Sequence, residues 1–349
     1  MSRQIALDNI ALQPAERWAH TEYSLEYHHD LIAKVSGLDA DDPAALRRAR
    51  DEWLIDFNFG TNNGLIDWST AGRTTDMGHA AYAIDGSDQR KPAESPFRSP
   101  EEVWAFDAVE EYGLPDFDAQ VRAYEQYIED RRRTYPNQLS AGGYYCTLVS
   151  GAIAAFGWDM LLMGASDPAR MEKVFDSFFR RTLFFMKAWA QTSAEVIIQH
   201  DDFVWTSGAF MHPDIYRRVL VPRYAELWKP LHDAGKKVLF CSDGDYTEFA
   251  EDVADAGADG LIFEPFMDFG RMVDAFGKHC CLVGSFVDCR DMTFGRWDKV
   301  RADIDRTFER LNDCKGAIVA VGNHVPPNIP DDMMERYFAY LLPRLNRTP

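Results

Sequence analysis

Short apolar runs alternate along the chain with longer stretches in which apolar residues recur at helical spacing. The runs Trp53–Phe57, Tyr144–Val149, Glu195–His200, Lys237–Cys241, Gly260–Phe263, Cys280–Ser285 and Ala317–Val321 have strand length and composition. Between them lie helical patterns such as Ala169–Trp189, where Met171, Val174, Phe175, Phe178 and Phe179 share one face. Helix starts are marked at Ser99-Pro100 and Asp167-Pro168, each a capping side chain ahead of a proline at the first helical position. Met211-His212-Pro213-Asp214 opens another helix, which Pro222 is expected to break or bend. Strand alternating with helix predicts parallel pairing, right-handed crossovers and helices covering the sheet. An eighth strand is expected near Ala80–Ile84, or irregular chain takes its place. The first 50 residues read as amphipathic helix. The predicted architecture is therefore α/β, a (β/α)8 TIM barrel over residues 51–349, with an N-terminal helical extension over residues 1–50 as a cap of the same domain.

Composition narrows the function. The 349 residues carry 37 Lys+Arg against 56 Asp+Glu, a formal net charge of −19. That excess of acid opposes a nucleic-acid or anionic-membrane partner. No stretch approaches a membrane-spanning length of apolar residues, and the opening MSRQIALDNI has charge where a secretory leader has its apolar core. A cytoplasmic protein is expected. Cys146, Cys241, Cys280, Cys281, Cys289 and Cys314 lack CxxC spacing and are expected to stay reduced, most as small buried hydrophobes. No GxGxxG or GxxxxGK[ST] opens a helix, so the usual phosphate-cradling loops are missing. Residues 60–100, rich in Gly, Asp and Thr, read as a functional loop.

In a barrel the chemistry gathers at the C-terminal ends of the strands. There the sequence places Asn58 and Phe59, then His200-Asp201-Asp202, Cys241-Ser242-Asp243, Glu264-Pro265, Asp288, and Gly322-Asn323-His324. Cys241 and Asp243 alternate onto one face if the strand persists to Asp243. Thiolate, imidazole and carboxylate suit a tetrahedral zinc site, so Cys241, Asp243, Glu264 and His324 are the expected metal ligands. Blander readings stand beside this one. A cysteine at a strand end such as Cys241 is more often a packed small hydrophobe than a ligand, Asp243-Gly244-Asp245 reads equally as a turn with an N-cap, and Glu264-Pro265 as a loop start. Asp201 and Asp202 read as loop caps, and His324 as a partner of a backbone carbonyl.

These segments resemble the uroporphyrinogen decarboxylase superfamily, and within it the corrinoid-linked methyltransferases. The resemblance rests on His200-Asp201-Asp202, Phe210-Met211-His212-Pro213, Val221-Pro222-Arg223-Tyr224, the run Gly235 to Gly244, Gly257-Ala258-Asp259-Gly260, and Gly322 to Pro330. Members are (β/α)8 barrels. The true decarboxylases carry an arginine-rich N-terminal motif for propionates. No RQAGR-like segment occurs here, which favours the methyltransferase branch. That branch holds zinc with a His-x-Cys pair and a late Cys. Here Cys241 stands for the His, Asp243 for the first Cys, and Asn323-His324 for the last. The harder donor set suits polarising an oxygen or nitrogen rather than activating a thiol.

The resemblance implies a demethylase that moves a methyl group from a small O- or N-methylated donor to the cobalt of a corrinoid (cobalamin) carried by a partner protein. Asp201, Asp202 and Asp243 are expected to stabilise the leaving group, while Phe57, Asn58, Phe59, Tyr144, Trp205 and Phe266 wall the donor or pack the barrel. Two alternatives remain: a metal-free decarboxylase or lyase acting on a small carboxylate, and a lapsed barrel kept as a binding partner. A homodimer is left open.

Overall fold

The structure is a computed structural model describing residues 2–60, 72–75, 81–82, 88–89, 94–145, 147–322 and 324–347. Cys146, Asn323 and much of the expected loop at 60–100 lie outside the described residues.

Eight strand paths form the wall: β1 Ala19–His20, β2 Phe57–Asn58, β3 in two runs Leu139–Ser140 and Gly142–Tyr144, β4 Val196–His200, β5 Lys237–Cys241, β6 Gly260–Ile262, β7 Cys281–Val283 and β8 Ala317–Val319. Every pair recorded among them is parallel, from β3 through β8 and on from β8 to β1. Phe57 pairs with Leu139 to join β2 to β3, and the Asp56 N–H donates to the His20 carbonyl at 2.8 Å to join β1 to β2. The ring closes as a (β/α)8 barrel.

Three expectations shift. The first strand, Ala19–His20, lies inside the segment read as a helical cap, because a two-residue strand carries no readable periodicity. Residues 81–82 pair antiparallel with 88–89 as a hairpin and supply no barrel strand. The run Tyr144–Val149 also divides, with the strand ending at Tyr144 and a helix beginning at Val149.

Alternation along each strand sorts side chains into two cores. Val196 and Ile198 of β4, Leu239 and Cys241 of β5, and Cys281 and Val283 of β7 face the interior, and the helix Ser2–Ile10 packs Ile5, Ala6 and Ile10 into the same cluster. Ile197, Val238, Phe240 and Leu282 face the outer helices, including Pro168–Ala190, whose predicted apolar face is buried. The Asp167 carboxylate accepts the Arg170 N–H and the Ser99 hydroxyl accepts the Glu102 N–H, so both helix caps hold. The helix expected to bend near Pro222 instead passes from Pro213–Ile215 through a π turn, Tyr216–Leu220, into Val221–Asp233.

The short seam between β1 and β2 relies on buried charge. Arg17 makes two bonds to Asp56, at 2.6 and 2.7 Å, and the His20 N–H donates to the same carboxylate at 3.0 Å. Beside it Glu22 accepts from Tyr337 at 2.6 Å and from the Val321 N–H at 3.0 Å, and lies 3.1 Å from His20 Nε2. Among the described residues no helix is long and apolar enough to cross a membrane.

Candidate active site

The register of β4 and β5 builds the site. His200 pairs with Cys241 directly across the two strands, and the ladder runs one residue further, where the Asp201 N–H donates to the Cys241 carbonyl at 2.9 Å. His200 and Asp202 therefore share a face, as do Cys241 and Asp243, and both pairs continue the inward series of Val196, Ile198 and Leu239. His200 Nε2 lies 2.8 Å from Asp202 Oδ1 and 4.0 Å from Asp243 Oδ1. Ligand atoms of His200, Asp202 and Asp243 all fall within 4.8 Å of one another, the one such group of three among the described residues.

Neighbouring groups fix this trio. Cys241 hydrogen-bonds His200, Tyr145 donates to Asp202 Oδ2 at 2.9 Å, and the Tyr145 ring lies 4.5 Å from the imidazole. The Asp243 N–H donates to Asp202 Oδ1 at 3.0 Å, and the Asp202 N–H donates to the Ser150 hydroxyl at 2.6 Å. Gly244 turns the chain immediately afterwards at φ +86°, where a Cβ would meet the Trp205 carbonyl at 2.6 Å. Its N–H donates to Glu264 at 2.7 Å.

Burial opposes charge on the His200 ring, but the carboxylate of Asp202 and then Cys241 raise its pKa well above the ordinary value. Burial raises Asp202, and the His200 charge and hydrogen bond outweigh it, leaving the carboxyl below its usual range. Burial lifts the Cys241 thiol despite His200 beside it. His200 and Asp202 thus form an ion pair beside a neutral thiol, with Asp243 exposed at the rim.

The structure distributes the expected residues unevenly. Asp202 and Asp243 come together, with Cys241 hydrogen-bonded to the His200 between them. Glu264 lies a strand further on, engaged with Gly244. His324 is buried past β8, and burial pushes its pKa down to about 4. Neither belongs to the trio.

Asp201 parts from Asp202. It turns outward and accepts the N–H groups of Leu148, Val149 and Ser150, at the start of the helix Val149–Gly164, and the Tyr224 hydroxyl at 2.6 Å. Burial raises its pKa against these bonds. Phe57 lies in the barrel core and Asn58 takes two arginines. Tyr144 accepts from Arg181 at 3.1 Å within the helix layer, and Phe266 lies under the Arg290 guanidinium at 4.6 Å. Trp205 is exposed beside Trp158 and Phe210, and Phe59 packs on Tyr23 at 5.2 Å.

Sequence reasoning did not single out His200 or Tyr145 as site residues. His200 was legible as the last residue of a strand and two before an inward carboxylate. Tyr145 was concealed by the misplaced end of β3.

The family profile described as uroporphyrinogen decarboxylase (URO-D) matches residues 146–341, more than half of the chain. No curated protein matches significantly. A methyltransferase from Methanosarcina mazei superposes with a TM-score of 0.66 at 16% identity, covering 98% of each chain, which bears on the fold. A D-psicose 3-epimerase from Clostridium cellulolyticum H10 superposes at 0.39 with 12% identity, covering 63% of this chain and 83% of its own.

Proposed function

Because the chain belongs to the uroporphyrinogen decarboxylase family, we propose that it is a cytoplasmic methyltransferase of the corrinoid-linked kind. Its substrates are a small O- or N-methylated donor and the cobalt of a corrinoid on a partner protein. The observation that carries this reading is the His200–Asp202–Asp243 cluster at the mouth ends of β4 and β5. One nitrogen and two oxygen donors, backed by a thiol, suit a divalent ion of zinc's kind, and the exposed position of Asp243 leaves room for a substrate atom. Asp243 belongs both to this trio and to the set implied by the resemblance, with Cys241, Glu264 and His324. When bound, such an ion supplies Lewis acidity to the departing oxygen or nitrogen.

The protein's own groups do the rest. Tyr145 and Ser150 hold Asp202, and Asp202 orients the His200 ring with Asp243 on its other side. As a ligand His200 would be neutral, because a coordinating imidazole gives up the proton on its ligand nitrogen when the ion binds. Without an ion, the charged His200 paired with Asp202 supports a second reading, proton transfer in the decarboxylation of a small carboxylate.

Incubation with a methylated donor and cob(I)alamin separates the two. Appearance of the methylcobalamin spectrum, lost in His200→Ala and Asp243→Ala, supports the methyltransferase. Release of carbon dioxide from a carboxylate without cobalt methylation replaces it with the second reading. Metal analysis of the purified protein and both variants tests the ion separately.

A further inference from the structure

A buried cluster of donors lies on the helix-facing side of β2, away from the His200 cluster. Asn58 alternates outward from Phe57, which faces the barrel interior. Its Oδ1 accepts from two guanidinium groups, Arg50 at 3.3 Å from the helix Ala45–Glu52 and Arg131 from the helix Phe117–Thr134. Both guanidinium groups lie over the Tyr135 ring, at 5.0 and 4.7 Å.

Donors outnumber acceptors there. Arg50 Nε donates to Gln138 Oε1 at 3.0 Å, which points the Gln138 amide nitrogen elsewhere. That nitrogen and Arg131 Nε are both buried without a hydrogen-bond partner. Gln138 is 1% exposed and Arg50 6%. Among the described residues neither arginine has a carboxylate within ion-pair distance, and Glu26 and Asp51 act on Arg50 only from further away. Burial draws the Arg50 pKa down to about 10, Tyr135 resists the fall, and Arg131 adds to it. Two guanidinium groups sharing one neutral acceptor, beside two orphaned donors, form an arrangement that ordinarily costs stability.

We propose that Arg50, Arg131 and Gln138 form a binding subsite for a small oxyanion, a carboxylate or a phosphate group. Either one presents paired oxygens that match the planar forks of two arginines and accept the orphaned N–H groups. The subsite is independent of the methyl-transfer reading, since it shares no residue with the His200 cluster.

The test is thermal unfolding titrated with sodium acetate and with sodium phosphate, each against sodium chloride at equal ionic strength. The wild type is expected to show a saturable rise in Tm with at least one of the two oxyanions. The one that saturates at lower concentration identifies the class. Arg131→Gln is expected to weaken the apparent affinity at least tenfold, and His200→Ala to leave it unchanged. Gln138→Leu keeps both charges, removes one buried donor and weakens binding in the same direction, which guards against a misfolded arginine variant. Absence of a saturable rise with either anion, or a rise that persists in both Arg131→Gln and Gln138→Leu, overturns the proposal.

Discussion

Two polar networks use the same residue types for different ends. At the seam of β1 and β2, Arg17, Asp56, His20, Glu22 and Tyr337 satisfy one another, with the Asp56 and Glu22 side chains fully buried. At the mouth, His200, Asp202, Tyr145 and Asp243 also form a His–carboxylate–Tyr chain, yet Asp243 is exposed. The difference lies in where the strand's alternation points. His20 faces the outer layer, packed edge-on against Phe338, whereas His200 continues an inward series and ends at the open face. A closed network stands in for missing backbone pairing, and an open one is left with capacity to bind.

Asp56→Ala is expected to have the largest effect, because it strands the Arg17 guanidinium. Breaking such a buried pair costs about 3–5 kcal/mol, read by urea denaturation. A loss below about 1 kcal/mol would make the seam as dispensable as the mouth and erase the contrast.

His200→Ala is expected to do the reverse. Turnover falls by about 10²–10⁴-fold, while the stability loss stays below that of Asp56→Ala because Asp202 keeps its bonds from Tyr145 and the Asp243 N–H. Equal losses in unfolding free energy and in rate would show that both networks are structural.

The histidines should also part in their pH dependence, measured by unfolding of chelator-treated protein. His324 has its pKa lowered from 6.5 to about 4, so its contribution is complete above pH 6.5 and is lost as pH falls toward 4. That contribution is roughly 2–3 kcal/mol, and His324→Gln should flatten the acid limb. His200 has the opposite sign, since its pKa is raised. Its contribution is complete below the unfolded value and is lost as pH rises through the folded one. An unchanged acid limb in His324→Gln would remove this distinction.

The smallest effect is expected for Tyr224→Phe, which deletes one donor to buried Asp201. It should cost about 1.5–2 kcal/mol, with metal content unaltered and only a modest fall in rate. A change in metal content would place Asp201 within the chemistry rather than behind it.

The barrel was legible because β4 to β8 each carry a recognisable apolar run that ends on polar residues. β1 was not, since two residues held by Arg17–Asp56 and by pairing with β8 leave no local pattern. The mouth was half legible. Asp202 and Asp243 follow from the chain's arrangement, but choosing Asp202 over Asp201 requires knowing the phase of alternation at the strand end. Tyr144 shows the same limit: its outward turn depends on where β3 stops, and the sequence pattern ran past that point. The arginine pair was not legible because buried Arg50 and half-buried Arg131 sit on helical segments whose charges read as solvent-facing.

The π turn at Tyr216–Leu220 bears on which deletions the chain can absorb. Residues 216 and 224 would sit roughly 80° apart on an uninterrupted α-helix, yet both tyrosine rings contact Phe203, at 5.6 and 6.2 Å. One surplus residue absorbed in the wide turn restores a spacing equivalent to seven, about 20° from alignment. Excising a single residue between the two tyrosines would therefore regularise the helix without turning either ring away. The turn is therefore a place in the barrel where removal of a single residue should be tolerated.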